Sequence, residues 1–283
     1  MLAALYMALS SVMFASMGAC LKLVSDELDT AMLVFLRSLF GLLFLLPVLF
    51  WKKGLSLKTS RPAAHLFRTL AGLAAMYLFF YAISHVSLAV AVLLSYTTPL
   101  FAPLIARIWL GERAGWQLIA IIGLGFVGVL LILKPGSDMF APAALVALGS
   151  GFMAALAAVM IRKMKHTEPS ERIVWYYTLG CTLFSAIPLI WIGYLPSFQA
   201  TGWMALAGLF ATFGQLFLSQ AYTRGRLAEV GPFVYLNVVV ATCYGWFFWQ
   251  ELPDYSSFAG IFVVVLAGII TLRLLGKQDK TTI

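Results

Sequence analysis

Apolar residues occur in long runs along the chain, and short polar segments separate the runs. Runs such as Met32 to Trp51 and Leu118 to Leu133 approach the length of about 20 residues that a helix needs to cross a hydrocarbon core of about 30 Å. The pattern predicts an all-α integral membrane protein with ten transmembrane helices. Their approximate spans are 2–24, 30–51, 64–85, 87–110, 115–134, 141–162, 172–194, 201–223, 227–250 and 256–275.

The composition favours a membrane protein over a soluble one. Of the 283 residues, 62% are hydrophobic and 11% are charged, and the mean hydropathy is +0.96. A soluble domain carries roughly 25% charged residues, because its surface must be hydrated. The net charge of +8 does not indicate nucleic-acid binding, because the basic residues lie in short connections rather than along one face. The three cysteines have no paired spacing, so neither a disulfide framework nor a metal site is expected. No cofactor is expected either.

Basic residues are concentrated in alternate connections. If the N-terminus is cytoplasmic, the cytoplasmic segments hold about fifteen Lys and Arg residues, whereas the opposite side holds about two. The positive-inside rule therefore predicts that both termini lie in the cytoplasm. We expect a multi-pass protein of the bacterial cytoplasmic (inner) membrane, surrounded by the lipid bilayer.

The second half of the chain repeats the first at an offset of about 139 residues. Leu88 corresponds to Leu227, and Glu112 corresponds to Glu251. Each repeat contains five predicted helices, and because five is odd, the second repeat enters the membrane from the other side. Such inverted repeats are typical of secondary transporters, in which the two halves alternate access to a site near the midplane. The predicted repeats are residues 1–136 and 137–283.

The ends of the fourth and ninth predicted helices resemble those of a known family. Leu110-Gly111-Glu112-Arg113 closes the fourth helix and Trp249-Gln250-Glu251 closes the ninth, and each precedes a glycine-containing helix. With these motifs the chain resembles the drug/metabolite transporter superfamily, in particular its EamA-type ten-helix carriers. The stretch Ala75 to Tyr81 is most similar to members assigned to vitamin uptake. The resemblance implies a central cavity lined by helices 1, 3, 4, 6, 8 and 9, with helices 5 and 10 at the periphery.

Arg37 is the charged residue that lies deepest in a predicted helix. It is about two turns inside the second helix, where a charge is costly and indicates function. The functional interpretation is an anchor for a substrate carboxylate or phosphate, which arginine binds through two parallel hydrogen bonds. The alternative is a structural ion pair with Asp26, Glu27 or Asp29, or extension of the side chain to the interface.

Other charged residues lie at helix ends. Glu112 and Glu251 occupy matching ends on opposite faces, and they are predicted either to form gate ion pairs that break as the halves rock or to make structural contacts with basic neighbours. Arg68 and Glu229 begin their helices and are interpreted as interface residues.

Polar side chains follow one face of several predicted helices. Residues at i, i+4 and i+7 share a helix face, and these faces are predicted to line a substrate cavity or to form hydrogen bonds between helices. The candidates are Tyr77, Tyr81 and Ser84 in the third helix and Gln215, Ser219 and Tyr222 in the eighth. Further candidates near the middle of the fourth and ninth helices are Tyr96, Thr98, Tyr235 and Asn237. Pro99 cannot donate a backbone hydrogen bond and leaves a carbonyl free to face a cavity.

The absence of acidic residues from the centres of the predicted helices argues against proton exchange through a buried carboxylate. We predict a secondary transporter of small organic metabolites, such as amino-acid-like compounds, vitamins or related solutes, that holds an uncharged, zwitterionic or planar ligand. The alternative is a multidrug exporter of lipophilic cations. An enzyme is not expected, since the three histidines are scattered and no HExxH or GxSxG motif is present. Because one chain contains both halves, we expect a monomer with no nucleic-acid partner.

Overall fold

The computed structural model describes residues 1–51, 56–83, 85–191 and 196–281, and these residues form helices joined by short connections. Two of the helices are short 3-10 segments, Ser137–Phe140 and Ile187–Trp191. The α-helices are α1 (Leu2–Lys22), α2 (Thr30–Trp51), α3 (Pro62–Ile83), α4 (Leu88–Ser95), α5 (Thr98–Leu110), α6 (Trp116–Leu133), α7 (Pro142–Lys163), α8 (Ser170–Ala186), α9 (Phe198–Arg224), α10 (Leu227–Val234), α11 (Leu236–Trp249) and α12 (Tyr255–Thr281).

Ten spans of these helices are long and apolar enough to cross a membrane. The part of the chain that the structure describes contains no β-strand, so the predicted all-α membrane fold with ten spans is confirmed. The ends of the spans agree with the predicted ones to within about three residues. The inverted relation of the two repeats and the cytoplasmic location of both termini stay predictions.

The fourth and ninth spans are each divided near their middle. The break between α4 and α5 lies at Tyr96 and Thr97, and the break between α10 and α11 lies at Tyr235. At the first break, Thr97 Oγ1 donates a hydrogen bond to the Leu94 carbonyl at 2.5 Å. Pro99, in the first turn of α5, has no N–H to continue the helical ladder. The two breaks lie at the repeat offset of about 139 residues, so both halves share this feature.

Helices from the two halves of the chain pack against one another: α1 packs on α9, α3 on α7, and α6 on α12. The contact of α6 with α12 brings backbone against backbone at Gly128 and Gly260. An added Cβ at Gly260 would lie 2.5 Å from the Gly128 carbonyl oxygen, and one at Gly128 would lie 2.9 Å from the Gly260 oxygen. Small residues permit such close approach of membrane helices. Phe258 and Phe262 of α12 are exposed, which places this helix at the edge of the bundle.

The buried carboxylate of Glu168 holds the connection that follows α2 against the start of α8. Thr59 Oγ1 and Arg172 Nη1 donate hydrogen bonds to it at 2.6 and 2.8 Å, and His65 Nε2 lies 3.5 Å away. Burial alone would raise the pKa of Glu168. The hydrogen bonds and the nearby positive charges together lower it by more than burial raises it, so the pKa lies below its usual range. The charged carboxylate thereby fixes the start of α3 beside α8.

Candidate functional site

An interior cavity lies between α2, α8 and α9. In this conformation the cavity volume is about 10 Å³, which is enough for a single water molecule. Its wall includes Arg37, Ser38, Tyr177, Cys181 and Gln215. The described wall residues belong to the second, seventh and eighth spans. Of these, the family resemblance implies only the eighth span. Arg37 itself was predicted from the sequence to anchor a substrate, whereas no residue of the seventh span was expected here.

Arg37 is buried at this cavity without an acidic partner. It is 8% exposed, its Nη1 lies 3.7 Å from Met17 Sδ as a weak hydrogen bond, and its Nε has no partner. Among the described residues no ion pair joins it to Asp26, Glu27 or Asp29, the alternative partners that the sequence suggests. The charge therefore points into the bundle unpaired.

A second buried arginine, Arg68 of α3, meets the same residues. It is 4% exposed, its guanidinium carbon lies 4.0 Å from the centre of the Tyr177 ring, and its Nη2 donates to Gln215 Oε1 at 3.2 Å. Its Nε and Nη1 have no hydrogen-bond partner. Gly72, one turn later, provides the space: an added Cβ would lie 2.5 Å from Arg68 Nη1 and 2.9 Å from Tyr177 Cε2.

The sequence prediction includes neither Tyr177, which lines the cavity, nor Arg68, which packs on Tyr177. Arg68 lies about two turns inside α3, a depth similar to that of Arg37 in α2, so the criterion of a costly buried charge identifies both. Its interpretation as an interface residue is therefore corrected. Tyr177 shares a face of α8 with Cys181 at i and i+4, but this spacing does not show which helix that face meets.

Further buried polar atoms beside the arginines also lack partners. They are Ser38 Oγ in the cavity wall and the hydroxyl of Tyr77, which packs beside Tyr177 and Cys181. Arginine carries only donors, and a hydroxyl group can donate as well as accept. Because buried polar groups are normally hydrogen-bonded, this excess of donors favours a ligand that supplies acceptors.

The structure places Tyr77 and Tyr81, two residues of the predicted polar face of the third helix, in different surroundings. Tyr77 lies beside the cavity, whereas Tyr81 is 52% exposed and stacks on His85 with 4.2 Å between the ring centroids. Ser84 lies outside the described residues.

The predicted polar face of the eighth helix is divided in the same way. Gln215 lines the cavity and binds Arg68. Ser219 and Tyr222 are buried where α9 meets neighbouring helices: Ser219 Oγ donates to the Ser170 carbonyl at 3.5 Å, and the Tyr222 carbonyl accepts from Arg162 Nη1 at 3.4 Å. These two residues join helices rather than line the cavity.

A second polar cluster lies at the helix breaks, next to α1. The hydroxyl of Tyr96 donates to Asn237 Oδ1, and Asn237 Nδ2 donates to the Ser11 carbonyl at 3.1 Å. Thr98 Oγ1 donates to a carbonyl of α7 at 3.0 Å. These contacts tie the break between α4 and α5 to α1 and α11, and the start of α5 to α7, and they satisfy most of the cluster internally.

Tyr235 and Pro99 fill space at the two breaks. Tyr235 is fully buried beside Phe126, and its hydroxyl has no hydrogen-bond partner. Pro99 is buried in the first turn of α5 against Gly231 of α10, where an added Cβ would lie 3.4 Å from Pro99 Cβ. Pro99 thus packs the two broken spans together, whereas Tyr235 packs the second break against α6.

Two ion pairs at helix ends are related by the repeat offset. Arg162 Nε, at the end of α7, donates to Glu112 Oε1, just after α5, at 2.7 Å. Lys22 Nζ, at the end of α1, donates to Glu251 Oε1, just after α11, at 2.7 Å. The Glu112 and Arg162 side chains are 18% and 8% exposed, whereas those of Glu251 and Lys22 are 61% and 47% exposed. Each pair joins the fourth span of one half to the first span of the other.

The chain is similar to named transporters over nearly its whole length. It is 33% identical over 272 residues to the pseudopaline exporter CntI of Pseudomonas aeruginosa, with 94% of each chain covered. It is 25% identical to the S-adenosylmethionine uptake transporter of Rickettsia felis, covering 92% of this chain and 87% of that protein. A crystal structure of a protein at 19% identity has a TM-score of 0.83 and covers 98% of both chains, which shows the same fold.

The sequence model of the EamA-like transporter family matches residues 1–134 and 141–273. Together with the ten apolar spans and the similarity to named transporters, this match confirms the predicted resemblance. The chain is therefore a multi-pass membrane transporter that belongs to the EamA-like transporter family of the drug/metabolite transporter superfamily.

Proposed function

We propose that this protein is a secondary transporter that moves small organic metabolites across the bacterial cytoplasmic membrane by alternating access to the cavity at Arg37. The relatives named above are an exporter in one case and an uptake transporter in the other, and both are named for small metabolites. In the proposal the two halves are inverted repeats and both termini face the cytoplasm. One chain acts alone, since it contains both halves.

The observation that carries this proposal is the relation between the two helix-end ion pairs. In the proposed topology Glu112 and Arg162 meet at the cytoplasmic face, and Lys22 and Glu251 meet at the outer face. Breaking one pair loosens the contact between the halves at that face while the other pair helps to keep the opposite face closed. At the outer face Lys134 and Asp254 form a further ion pair between the halves. Inverted repeats that exchange conformations produce this alternation. Because the outer pair is exposed, we expect it to open more readily than the buried inner pair.

The alternative, a multidrug exporter of lipophilic cations, has less support. Arg37 carries positive charge in the cavity wall, and Arg68 carries a second charge behind the wall residues Tyr177 and Gln215. Both repel a cation, most strongly where water is excluded. The face of the Tyr177 ring is already covered by Arg68, so it is not free for a cation–π contact with a ligand.

Cys181 is a reporter of cavity opening within the chain. It lines the cavity and is 1% exposed in this conformation. In a variant with Cys20→Ser and Cys243→Ser, Cys181 is the remaining thiol. A membrane-impermeant methanethiosulfonate reagent is applied to right-side-out and to inside-out vesicles, and mass spectrometry measures the labelled fraction.

We expect Glu251→Gln to raise the labelling of Cys181 from the outer face and Glu112→Gln to raise it from the inner face, several-fold in each case. Glu229→Gln is the matched control, because its carboxylate bonds within its own helix turn at Arg226. It should change the labelling from neither face. Labelling that rises from the same face in both gate variants, or from neither face, would contradict alternating access.

A further inference from the structure

We infer that the cavity binds an oxyanion, the carboxylate or phosphate group of the transported metabolite, between Arg37 and Arg68. The inference rests on the proposed function in one respect, that the ligand of this cavity is the transported solute. A site of two arginines replaces the single anchor that the sequence indicates. It also replaces an uncharged or planar ligand with an acidic one.

No carboxylate in the described part of the chain neutralises these two arginines. Arg37 and Arg68 are 8% and 4% exposed, and within the described parts of the chain neither forms an ion pair. The carboxylates of Glu112 and Glu168, which are mostly or fully buried, bind other arginines. An unpaired charge inside a membrane protein is costly, and such charges mark substrate and ion pathways. A bound oxyanion supplies the missing negative charge.

The two guanidinium groups leave much of their hydrogen-bonding capacity unused. Each has five N–H donors. Arg37 directs Nη1 at Met17 Sδ over 3.7 Å, and Arg68 donates Nη2 to Gln215 Oε1 at 3.2 Å. The buried Nε atoms of both arginines and Nη1 of Arg68 have no acceptor. Because a carboxylate or phosphate accepts two parallel hydrogen bonds from one guanidinium, an oxyanion matches these vacant donors.

Arg68 is held in position by its surroundings. Its guanidinium lies on the Tyr177 ring at 4.0 Å, and the space beside it exists because residue 72 is glycine. The buried hydroxyl groups of Ser38 and Tyr77 add two unpaired polar atoms beside the arginines. A donor set that is fixed in advance loses little conformational entropy on binding. The geometry therefore favours a compact acidic group over a cation or an apolar ring.

The test measures the thermal stability of the full chain in detergent with defined probes. The acidic probes are succinate, citrate, inorganic phosphate and glycerol 3-phosphate, and the controls are succinamide and sodium chloride at equal ionic strength. A ligand that binds the folded state raises apparent stability by mass action. We expect the melting temperature to rise with at least one acid and with neither control. A rise with carboxylates alone assigns an organic acid, and a rise with phosphates alone assigns a phosphate ester.

Substitutions separate a binding site from a structural role. We expect Arg37→Gln and Arg68→Gln each to weaken the apparent affinity for the acid about tenfold or more, because each removes charge-assisted hydrogen bonds. Without ligand, both variants should melt at the wild-type temperature or above, because an unpaired buried charge is removed. Arg107→Gln, which removes an exposed charge from α5, is the matched control and should keep the full response. The corresponding Lys variants, for which a partial loss is expected, replace any Gln variant that does not fold.

The inference is overturned if no acid raises the melting temperature above the salt control, or if both Gln variants keep the wild-type response. Labelling of Cys181 tests alternating access without any ligand, so the two experiments fail independently. A protein that alternates but binds no acid remains a transporter of another solute. If acids raise the melting temperature but Cys181 labelling shows no alternation, the proposed function is contradicted and the oxyanion site is not.

Discussion

At the residue scale, Arg37 lies in the cavity wall and Arg68 lies beside it, and among the described residues neither has an acidic partner. Arg37 was predictable, because a charge two turns inside an apolar helix is costly wherever the helix packs. The position of Arg68 beside the cavity was harder to predict, since it depends on Tyr177, which lies on another helix much later in the chain. A single sequence also does not show that the acidic residues near Arg37 leave it unpaired. Charge partners are a tertiary property, and local spacing does not determine them.

Gly72→Ala tests the space beside Arg68. The added methyl group would lie 2.5 Å from Arg68 Nη1 and 2.9 Å from Tyr177 Cε2, so at least one side chain must move. We expect most of the acid-induced rise in melting temperature to be lost, although alanine in a helix is more stable than glycine by about 0.5 to 1 kcal/mol. Gly202→Ala is the control, because an added Cβ there meets no neighbouring atom within 4 Å. An unchanged response to acids in Gly72→Ala would mean that the arginine position is not constrained as the structure shows.

At the scale of secondary-structure elements, helix lengths follow from the apolar runs, whereas the two helix breaks do not. The spans 87–110 and 227–250 are predicted as continuous helices, and the structure divides them at Tyr96 and Tyr235. Pro99 indicates a local disturbance of the fourth span, but the apolar residues on both sides of each break favour one continuous helix. The breaks coincide with hydrogen bonds between helices, such as that from Tyr96 to Asn237, which no local pattern displays.

Tyr96→Phe removes the hydroxyl group that donates to Asn237. We expect the free energy of unfolding to fall by about 0.6 kcal/mol and by at most about 1.7 kcal/mol, as for other hydrogen bonds between membrane helices. Combined with Asn237→Leu, it should cost less than the sum of the single changes, because both remove the same bond. Unfolding in mixed detergent micelles measures these values, with Tyr255→Phe, at a side chain that is 95% exposed, as the neutral control. Strictly additive costs would argue against this bond.

At the scale of the whole molecule, the ten-span fold was predictable because bilayer thickness fixes helix length and every backbone polar group must be satisfied within the membrane. The candidate site was predictable only in part. Arg37, Tyr77 and Gln215 lie at the cavity, whereas Tyr81 lies exposed at the end of α3. Which helices enclose the cavity depends on how the two halves dock, and this information is spread over the whole chain.

The two helix-end ion pairs should differ in their contribution to stability. Glu112→Gln leaves the mostly buried Arg162 without its carboxylate, and we expect a loss of about 3 kcal/mol. Glu251→Gln affects the exposed Lys22, and we expect a loss of less than about 1 kcal/mol. Unfolding free energies in the same mixed micelles compare the two variants. Equal losses would show that the inner pair is no more important to the closed conformation than the outer one.

Where α6 crosses α12, no side chain separates Gly128 from Gly260. Neither position accepts even a methyl group. A mutation at either position would therefore force the two helices apart. Gly123, in the same helix as Gly128, meets no neighbouring atom within 4 Å and can be replaced freely. Descendants of this protein that acquire new substrates are therefore expected to change their cavity walls while they retain this crossing.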